Sequence, residues 1–247
     1  MIGIFQGSMT AKERVLRTFN HEKADRVPVN YLANPAIHKR VAAALGVPAD
    51  KDAVDDALGV DFKELMPRYT GRPLFSPREG RRVHPLTGAV QRWVPNQDGG
   101  YWDHCDFPLA EADDETIANW PVPDPDDFDY DELLDRCKLY RHKAVHFGHP
   151  GVSDVMNNTG MIRGMENIYM DLALETESVM TLLDRRMKAE LAMFERALDK
   201  CRDYVDFIWT GEDLARSAPL ISLDSSVPRS ARATSRSSTW PPATASR

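Results

Sequence analysis

Glu177 to Lys200, then Tyr204-Val-Asp-Phe-Ile-Trp209, then Thr210-Gly-Glu-Asp213, is the stretch that decides how the chain is read. Val179, Leu182, Leu183, Met187, Leu191, Phe194 and Leu198 recur at three- and four-residue steps, which places them on one stripe of a long helix. The methionines on that stripe read as core filler, since an unbranched thioether packs into irregular gaps. Tyr204 to Trp209 is a short apolar run of strand length, and Thr210-Gly ends it. The same order occurs one unit upstream. Leu133, Leu134, Cys137 and Tyr140 make Tyr130–Tyr140 a helix, and Ala144–Phe147 is a strand. A Gly148-His-Pro-Gly151 loop follows, then a helix over Glu166–Ala173. Helices alternating with short strands predict βα units and a parallel sheet, an α/β protein.

The first half is less regular. Met9 is a plausible natural start, with residues 1–8 as an upstream extension. Thr10-Ala-Lys-Glu13 fits a capping box, and Val15, Leu16 and Phe19 give the helix behind it an apolar face, with its end near Asn20-His21. Arg26-Val-Pro-Val29 is predicted as a first barrel strand. Ile37–Leu45 reads as a helix closed by Gly46, Val54–Leu58 as another, and Asp61–Met66 as a short strand. Residues 67–130 are rich in Pro, Gly, Asp and Trp. Within them Val83–Val90 and Gln91–Val94 form a hairpin turning at Thr87-Gly88. Trp120-Pro-Val-Pro-Asp-Pro-Asp-Asp127 is a rigid surface connection, because its prolines lack amide donors. Trp93, Trp102 and Trp120 read as loop-anchoring core.

Composition excludes several classes. No run approaches the roughly 20 apolar residues of a membrane helix, and Met1–Ser8 has no basic start or long apolar run, so it is no signal peptide. A cytoplasmic location is the expectation. Residues 1–224 carry 27 basic and 38 acidic side chains, a balance of −11. Such a body does not suit a nucleic-acid partner, which needs a basic face. Cys105, Cys137 and Cys201 are odd in number and show no CxxC spacing, so they read as buried or half-buried thiols. His104-Cys105 makes a poor metal pair, because neighbouring side chains on a strand face opposite ways.

Met9-Thr-Ala-Lys-Glu-Arg-Val-Leu16, with Asn20-His-Glu-Lys-Ala-Asp-Arg-Val-Pro-Val29, resembles the opening of the uroporphyrinogen decarboxylase superfamily. Trp120–Phe128 resembles its proline-rich connection. Arg163-Gly-Met-Glu-Asn167 with Met170-Asp-Leu-Ala173 resembles its mid-barrel helix, and Tyr204-Val-Asp206 to Gly211-Glu-Asp-Leu214 its strand and Gly-Asp-Asp-Leu-type turn. The resemblance spans about residues 9–224. It implies a (β/α)8 TIM barrel, here an incomplete one, and an enzyme acting on a small molecule. Family members include the decarboxylases of porphyrin biosynthesis and methyltransferases serving corrinoid proteins. The decarboxylases carry arginines for substrate carboxylates after the first strand. Asn30-Tyr-Leu-Ala-Asn-Pro35 stands there instead, without one. Corrinoid-linked methyl transfer is therefore the leading expectation, with decarboxylation or an inactive truncated product as alternatives. The resemblance implies no cofactor in this chain itself. Zinc and a corrinoid protein partner belong to a full-length methyltransferase, whose zinc ligands fall in the last third of the barrel.

Residues 225–247 contain seven Ser, four Arg, four Ala, three Thr and three Pro, with no Leu, Ile, Phe or Met. Such a segment buries too little apolar surface to offset its ordering entropy, and predicts a disordered C-terminal tail. A one-base shift with C-rich codons turns Ser225-Ser-Val227 into Leu-Phe-Arg and the following residues into an amphipathic helix. Out-of-frame translation is the sharper reading of this tail.

Barrel enzymes keep their working groups at the C-terminal ends of strands. Glu212 and Asp213 hold that place and can bind a cation, orient a substrate or share a proton, or else form a solvated turn or helix cap. His149, beyond the Ala144–Phe147 strand, is a second catalytic candidate, and His146 a companion more consistent with packing. Arg163 is a candidate for holding an anionic substrate group, or for pairing with Glu166. Asn157 and Asn158, read as part of the same loop as His149, are candidate donors to substrate. No metal ligand set is read from the sequence, and it leaves the oligomeric state open.

Overall fold

The computed structural model describes residues 7–97, 99–149, 151–152 and 154–211. The predicted turn acids Glu212 and Asp213, the tail 225–247 and most of the 1–8 extension lie outside the described residues.

Three helices open the chain: α1 (Ala11–Phe19), α2 (Pro35–Leu45) and α3 (Lys51–Leu58). Thr10, Asn34 and Asp50 cap them, each side chain accepting from the amide three residues on. That satisfies a donor with no partner inside the helix. Gly46 and Gly59 close α2 and α3 in the left-handed region at φ 66° and 67°. The run Arg26–Val29, expected as a strand, belongs to no sheet. Pro28 has no amide, and the Val29 amide is taken by the Asp61 side chain at 2.8 Å. Only the Val29 carbonyl reaches a neighbour, the Asp61 amide, so no ladder forms.

Strand β1 (Phe62–Leu65) is followed by the short β2 (Arg68–Tyr69) and then by β3 (Arg82–Val83), β4 (Val90–Val94) and β5 (Tyr101–His104). The last three form an antiparallel meander. Its first hairpin turns where the sequence places it, with Gly88 at φ 77°, and β5 is an addition the sequence reading missed. Trp93 and Trp102 are direct partners across β4 and β5, edge-to-face at 5.4 Å, and 48% and 39% exposed. They cover each other at the surface and are not the buried anchors expected. Trp120 does anchor a loop: its indole N–H donates to Thr87 O, and its ring stacks on Phe75.

The chain continues through α4 (Asp114–Ala118), a 3-10 turn at Pro125–Asp127, β6 (Phe128–Asp129) antiparallel to β2, and α5 (Tyr130–Leu139). It ends with β7 (Ala144–Phe147), α6 (Val155–Arg163), α7 (Met165–Leu174), α8 (Glu177–Cys201) and β8 (Phe207–Ile208). Strand β8 is shorter than the expected Tyr204–Trp209. Asp206 meets Val145 partly through its side chain, whose carboxylate accepts the Val145 amide at 2.9 Å.

Strands β1, β7 and β8 form a parallel sheet in that order, so the predicted alternation of helices and parallel strands holds. On one face Leu65, Val145 and Phe147 pack against Leu133 and Cys137 of α5 and Met193, Phe194, Ala197 and Cys201 of α8. A second core joins α6, α7 and α8 to Ala89, Leu109 and Ile117. Cys105, Cys137 and Cys201 are all buried free thiols. The protein is thus mixed α/β. Among the described residues the parallel sheet has three strands and closes no barrel, and no helix is long and apolar enough to cross a membrane.

Candidate functional site

In a parallel sheet, partner residues share a face. Glu64, His146 and Phe207 are successive partners across β1, β7 and β8, on the side away from α5 and α8. His146 stacks on Phe207 at 4.9 Å between centroids and 16° between planes, with Phe62 edge-on at 6.3 Å and Trp209 at 5.9 Å. Phe19 of α1 meets Phe207 edge-on at 5.1 Å. The face is therefore aromatic, with one acid and one imidazole in register. Burial pushes His146 below its ordinary value, while the Gly148 carbonyl and Glu64 pull the other way. His146 Nδ1 lies 3.0 Å from Gly148 O, and the side chain is packed and hydrogen-bonded, as the sequence favoured. Glu64 was not singled out from sequence. The signal was the two-residue alternation Phe62/Glu64 opposite Ala144/His146.

His149 follows at the C-terminal end of β7, and its side chain is exposed. Gly148 makes this turn possible: its φ is 82°, and a Cβ there would lie 2.1 Å from Trp209 O. The loop after β7 is thereby held against the end of β8. His149 Nδ1 accepts the Gly151 amide at 3.0 Å, leaving Nε2 as the ring nitrogen available for proton transfer. The Gly151 carbonyl accepts Asn158 Nδ2 at 3.1 Å, and the Val152 carbonyl accepts the Gly211 amide at 3.1 Å. One dipeptide therefore links His149, Asn158 and the residue immediately before Glu212.

Asn157 and Asn158 are not in a loop. They lie in the first turn of α6, with the Asn158 amide on Asp154 O at 2.8 Å and Asn157 Nδ2 on Asp154 Oδ2 at 2.9 Å. The helix was missed because Asn, Thr and Gly within Val155–Arg163 are weak helix formers. It forms because Val155, Met156, Thr159, Gly160 and Ile162 are buried.

Arg163 ends α6. Its Nε pairs with Asp171 at 2.9 Å, and Nη1 donates to the carbonyls of Leu109 and Ala110 at 2.6 and 3.0 Å. Its partner is thus Asp171, not the expected Glu166, and none of these bonds reaches the His149 turn. The structure brings together His149 and Asn158, with Asn157 beside them on α6, and places Arg163 in a separate network.

At the opposite, N-terminal end of the sheet, Asp61 pairs with Arg14 and Arg26, and Asp206 with Lys12. An open groove of about 500 Å³ lies on that side, between α1 and Arg141-His142. In open parallel α/β sheets ligands bind outside the carboxyl ends of the strands, which is the His149 end. Among the described residues no group of three His, Cys, Asp or Glu side chains is arranged to hold a metal ion. Compared with family models, with curated proteins and with solved structures, the chain matches none.

Proposed function

We propose that this chain is part of a uroporphyrinogen-decarboxylase-like (β/α)8 barrel enzyme acting on a small molecule, most consistent with corrinoid-linked methyl transfer. The observation that carries the reading is the parallel order β1-β7-β8, which follows the chain with helices between strands, together with the His149 turn joined to the end of β8. In this reading His149 Nε2 moves a proton, Asn157 and Asn158 orient the substrate, and Glu212 and Asp213 are further catalytic acids. Arg163 enters only if substrate displaces it from Asp171. Zinc and a corrinoid protein are partners of the full-length barrel, in the cytoplasm.

Methyl transfer is preferred to decarboxylation because the segment 30–35 offers no arginine for a polycarboxylate. Lys51, which donates to Tyr31 O in that segment, is already paired with Asp55. The coding DNA across codons 210–247 is to be resequenced first, because the tail reading is part of the proposal. The repaired barrel is then assayed for bound zinc, for demethylation of methylcobalamin with a thiol acceptor, and for uroporphyrinogen turnover. Methyl transfer lost in His149→Gln supports the proposal. Uroporphyrinogen turnover instead establishes the decarboxylase alternative, and no activity in a soluble, folded barrel rejects both.

A further inference from the structure

Helices α5 and α8 lead into β7 and β8, which are neighbouring parallel strands, and both pack on the same face of the sheet. Two helices so placed run side by side in the same direction. Their ion pairs follow that order. Arg196 pairs with Asp126, just ahead of α5, at 2.9 Å, and Lys200 pairs with Asp131 in the first turn of α5. Both helices then end at the N-terminal foot of the sheet. Cys137 lies two residues from the end of α5, and Cys201 is the last residue of α8. The two cysteines fill one core. Each is fully buried, in a cluster with Leu133, Val145, Phe194 and Ala197, and their thiols hydrogen-bond to each other. Neither is in a disulfide. Cys105 is elsewhere, following β5 and hydrogen-bonded with Arg81 and Asp106.

The hydrogen bond makes the pair unequal. The Cys137 S–H donates and the Cys201 sulfur accepts, which pushes Cys137 up and Cys201 below its ordinary value, against the effect of burial on Cys201. The charges of Lys200 and Lys138 add to the fall at Cys201. Cys201 is therefore the sulfur that more readily becomes a thiolate, the nucleophilic form. It also sits at a helix end, followed by the exposed Arg202 and Asp203, and helix ends open more easily than helix interiors.

We propose that Cys137 and Cys201 are an oxidative modification site, a dithiol that a peroxide converts to a disulfide tying α5 to α8. The Cys201 thiolate attacks one peroxide oxygen, the O–O bond breaks, and the leaving hydroxide takes up a proton to become water. The Cys137 sulfur then attacks the Cys201 sulfenic acid, losing its own proton as a second water leaves. Two thiols are oxidised, and one hydrogen peroxide is reduced to two waters. The new bond needs sulfurs about 2.0 Å apart, a short move for groups already in hydrogen-bonding contact. Because both sulfurs are closed to solvent, the oxidant has to be small and neutral, and it enters as the end of α8 opens. The disulfide closes β7, α6, α7 and α8 into one loop, which restricts the unfolded chain and raises the thermal midpoint. Nothing in this pair depends on the barrel reading.

The test uses the full chain, folded, with stoichiometric hydrogen peroxide. Free thiols are counted after denaturation, and the bridge is located by peptide mapping. Thiols are expected to fall from three per chain to one, with the Cys137 and Cys201 peptides joined within one chain and Cys105 left free. Dithiothreitol restores all three thiols and the lower thermal midpoint. Cys137→Ala removes the resolving thiol, so dimedone traps Cys201 as its sulfenic acid. In Cys201→Ala the dimedone label on Cys137 is lower by about tenfold or more. Mapping of the parent chain decides the pairing even where an alanine variant fails to fold. A folded chain that keeps all three thiols, a bridge that uses Cys105, or a Cys137–Cys201 bridge formed only in urea would each overturn the proposal and leave the two sulfurs as core filler.

Discussion

Arg14 Nη1 and Asp61 Oδ1 meet at 2.6 Å, with both side chains all but closed to solvent. Asp61 receives Arg26 Nη1 at 2.6 Å and the Val29 amide at 2.8 Å on its other oxygen, while Arg14 Nε reaches Asp25 at 2.6 Å. The hydrogen bond from Arg14 holds the Asp25 carboxyl well below the usual carboxylate range. One buried carboxylate therefore ties α1, the 26–29 run and the foot of β1 together. Removing one member of a buried pair strands the charge of the other. Asp61→Asn is expected to lower unfolding stability by about 3–5 kcal/mol, read as a shift in urea midpoint. A midpoint equal to the parent's would show that the network contributes nothing net.

Arg163 discriminates between scaffold and substrate roles. Its bonds to Asp171 and to the Leu109 and Ala110 carbonyls join α6, α7 and the turn before α4. Arg163→Ala leaves Asp171, which is 6% exposed, without its cation. A loss of about 3 kcal/mol is expected, measured by chemical denaturation. A variant that keeps its stability but loses small-molecule binding would return Arg163 to the substrate role read from its sequence position.

Much of the second half was legible because local pattern and burial agree there. Val179, Leu182 and Phe194 face the core as the stripe on α8 requires, and Ala144–Phe147 is a fully buried strand. Met187 and Leu191 are only half-buried, since the helix turns its core face toward Met193 and Ala197 instead. The reading failed where tertiary contacts override propensity. Asn157 and Asn158 look like loop residues until Met156 and Ile162 are seen to be buried. Arg26–Val29 looks like a strand until the Asp61 side chain takes its amide. The His149 turn was legible from Gly148 and Gly151. The register of Glu64 with His146 was not, because strand partnership is set by non-local packing.

Gly148 tests the coupling between the loop after β7 and the end of β8. At φ 82° with Trp209 O in the space of a Cβ, Gly148→Ala combines backbone strain with a backbone clash. A loss of about 1–3 kcal/mol is expected, together with a changed near-ultraviolet signal from Trp209. An alanine variant with the parent's melting curve and spectrum would mean that the two strand ends are not held together.

His146 should impose a pH dependence on stability. Burial lowers its folded value below the ordinary 6.5, so below that value the unfolded chain binds more protons than the folded one. The contribution is present above about pH 6.5 and is lost as pH falls through the lower folded value. His84 and His104 are lowered by burial as well and add to the same slope. The urea midpoint should therefore fall between about pH 7 and about pH 5, and His146→Phe, which keeps a ring against Phe207, should flatten part of that fall. An unchanged slope in His146→Phe would assign the whole effect to other groups.

The sheet order leaves β8 as an edge strand among the described residues, and its Ile208 and the following Trp209 are 45% and 40% exposed. Phe19, packed on Phe207, is 51% exposed on the same side of the molecule as the aromatic face of the sheet. An unpaired strand edge beside apolar surface templates pairing with another chain. Concentration-dependent self-association is therefore expected, visible as a rising scattering mass over the micromolar range. Ile208→Lys places a charge on that edge at a position that is 45% exposed, and should shift the onset of association about tenfold higher in concentration, equivalent to about 1.4 kcal/mol. A parent chain that stays monomeric with a sharp cooperative melt, or a lysine variant that associates just as readily, would show that the β8 edge is covered in solution.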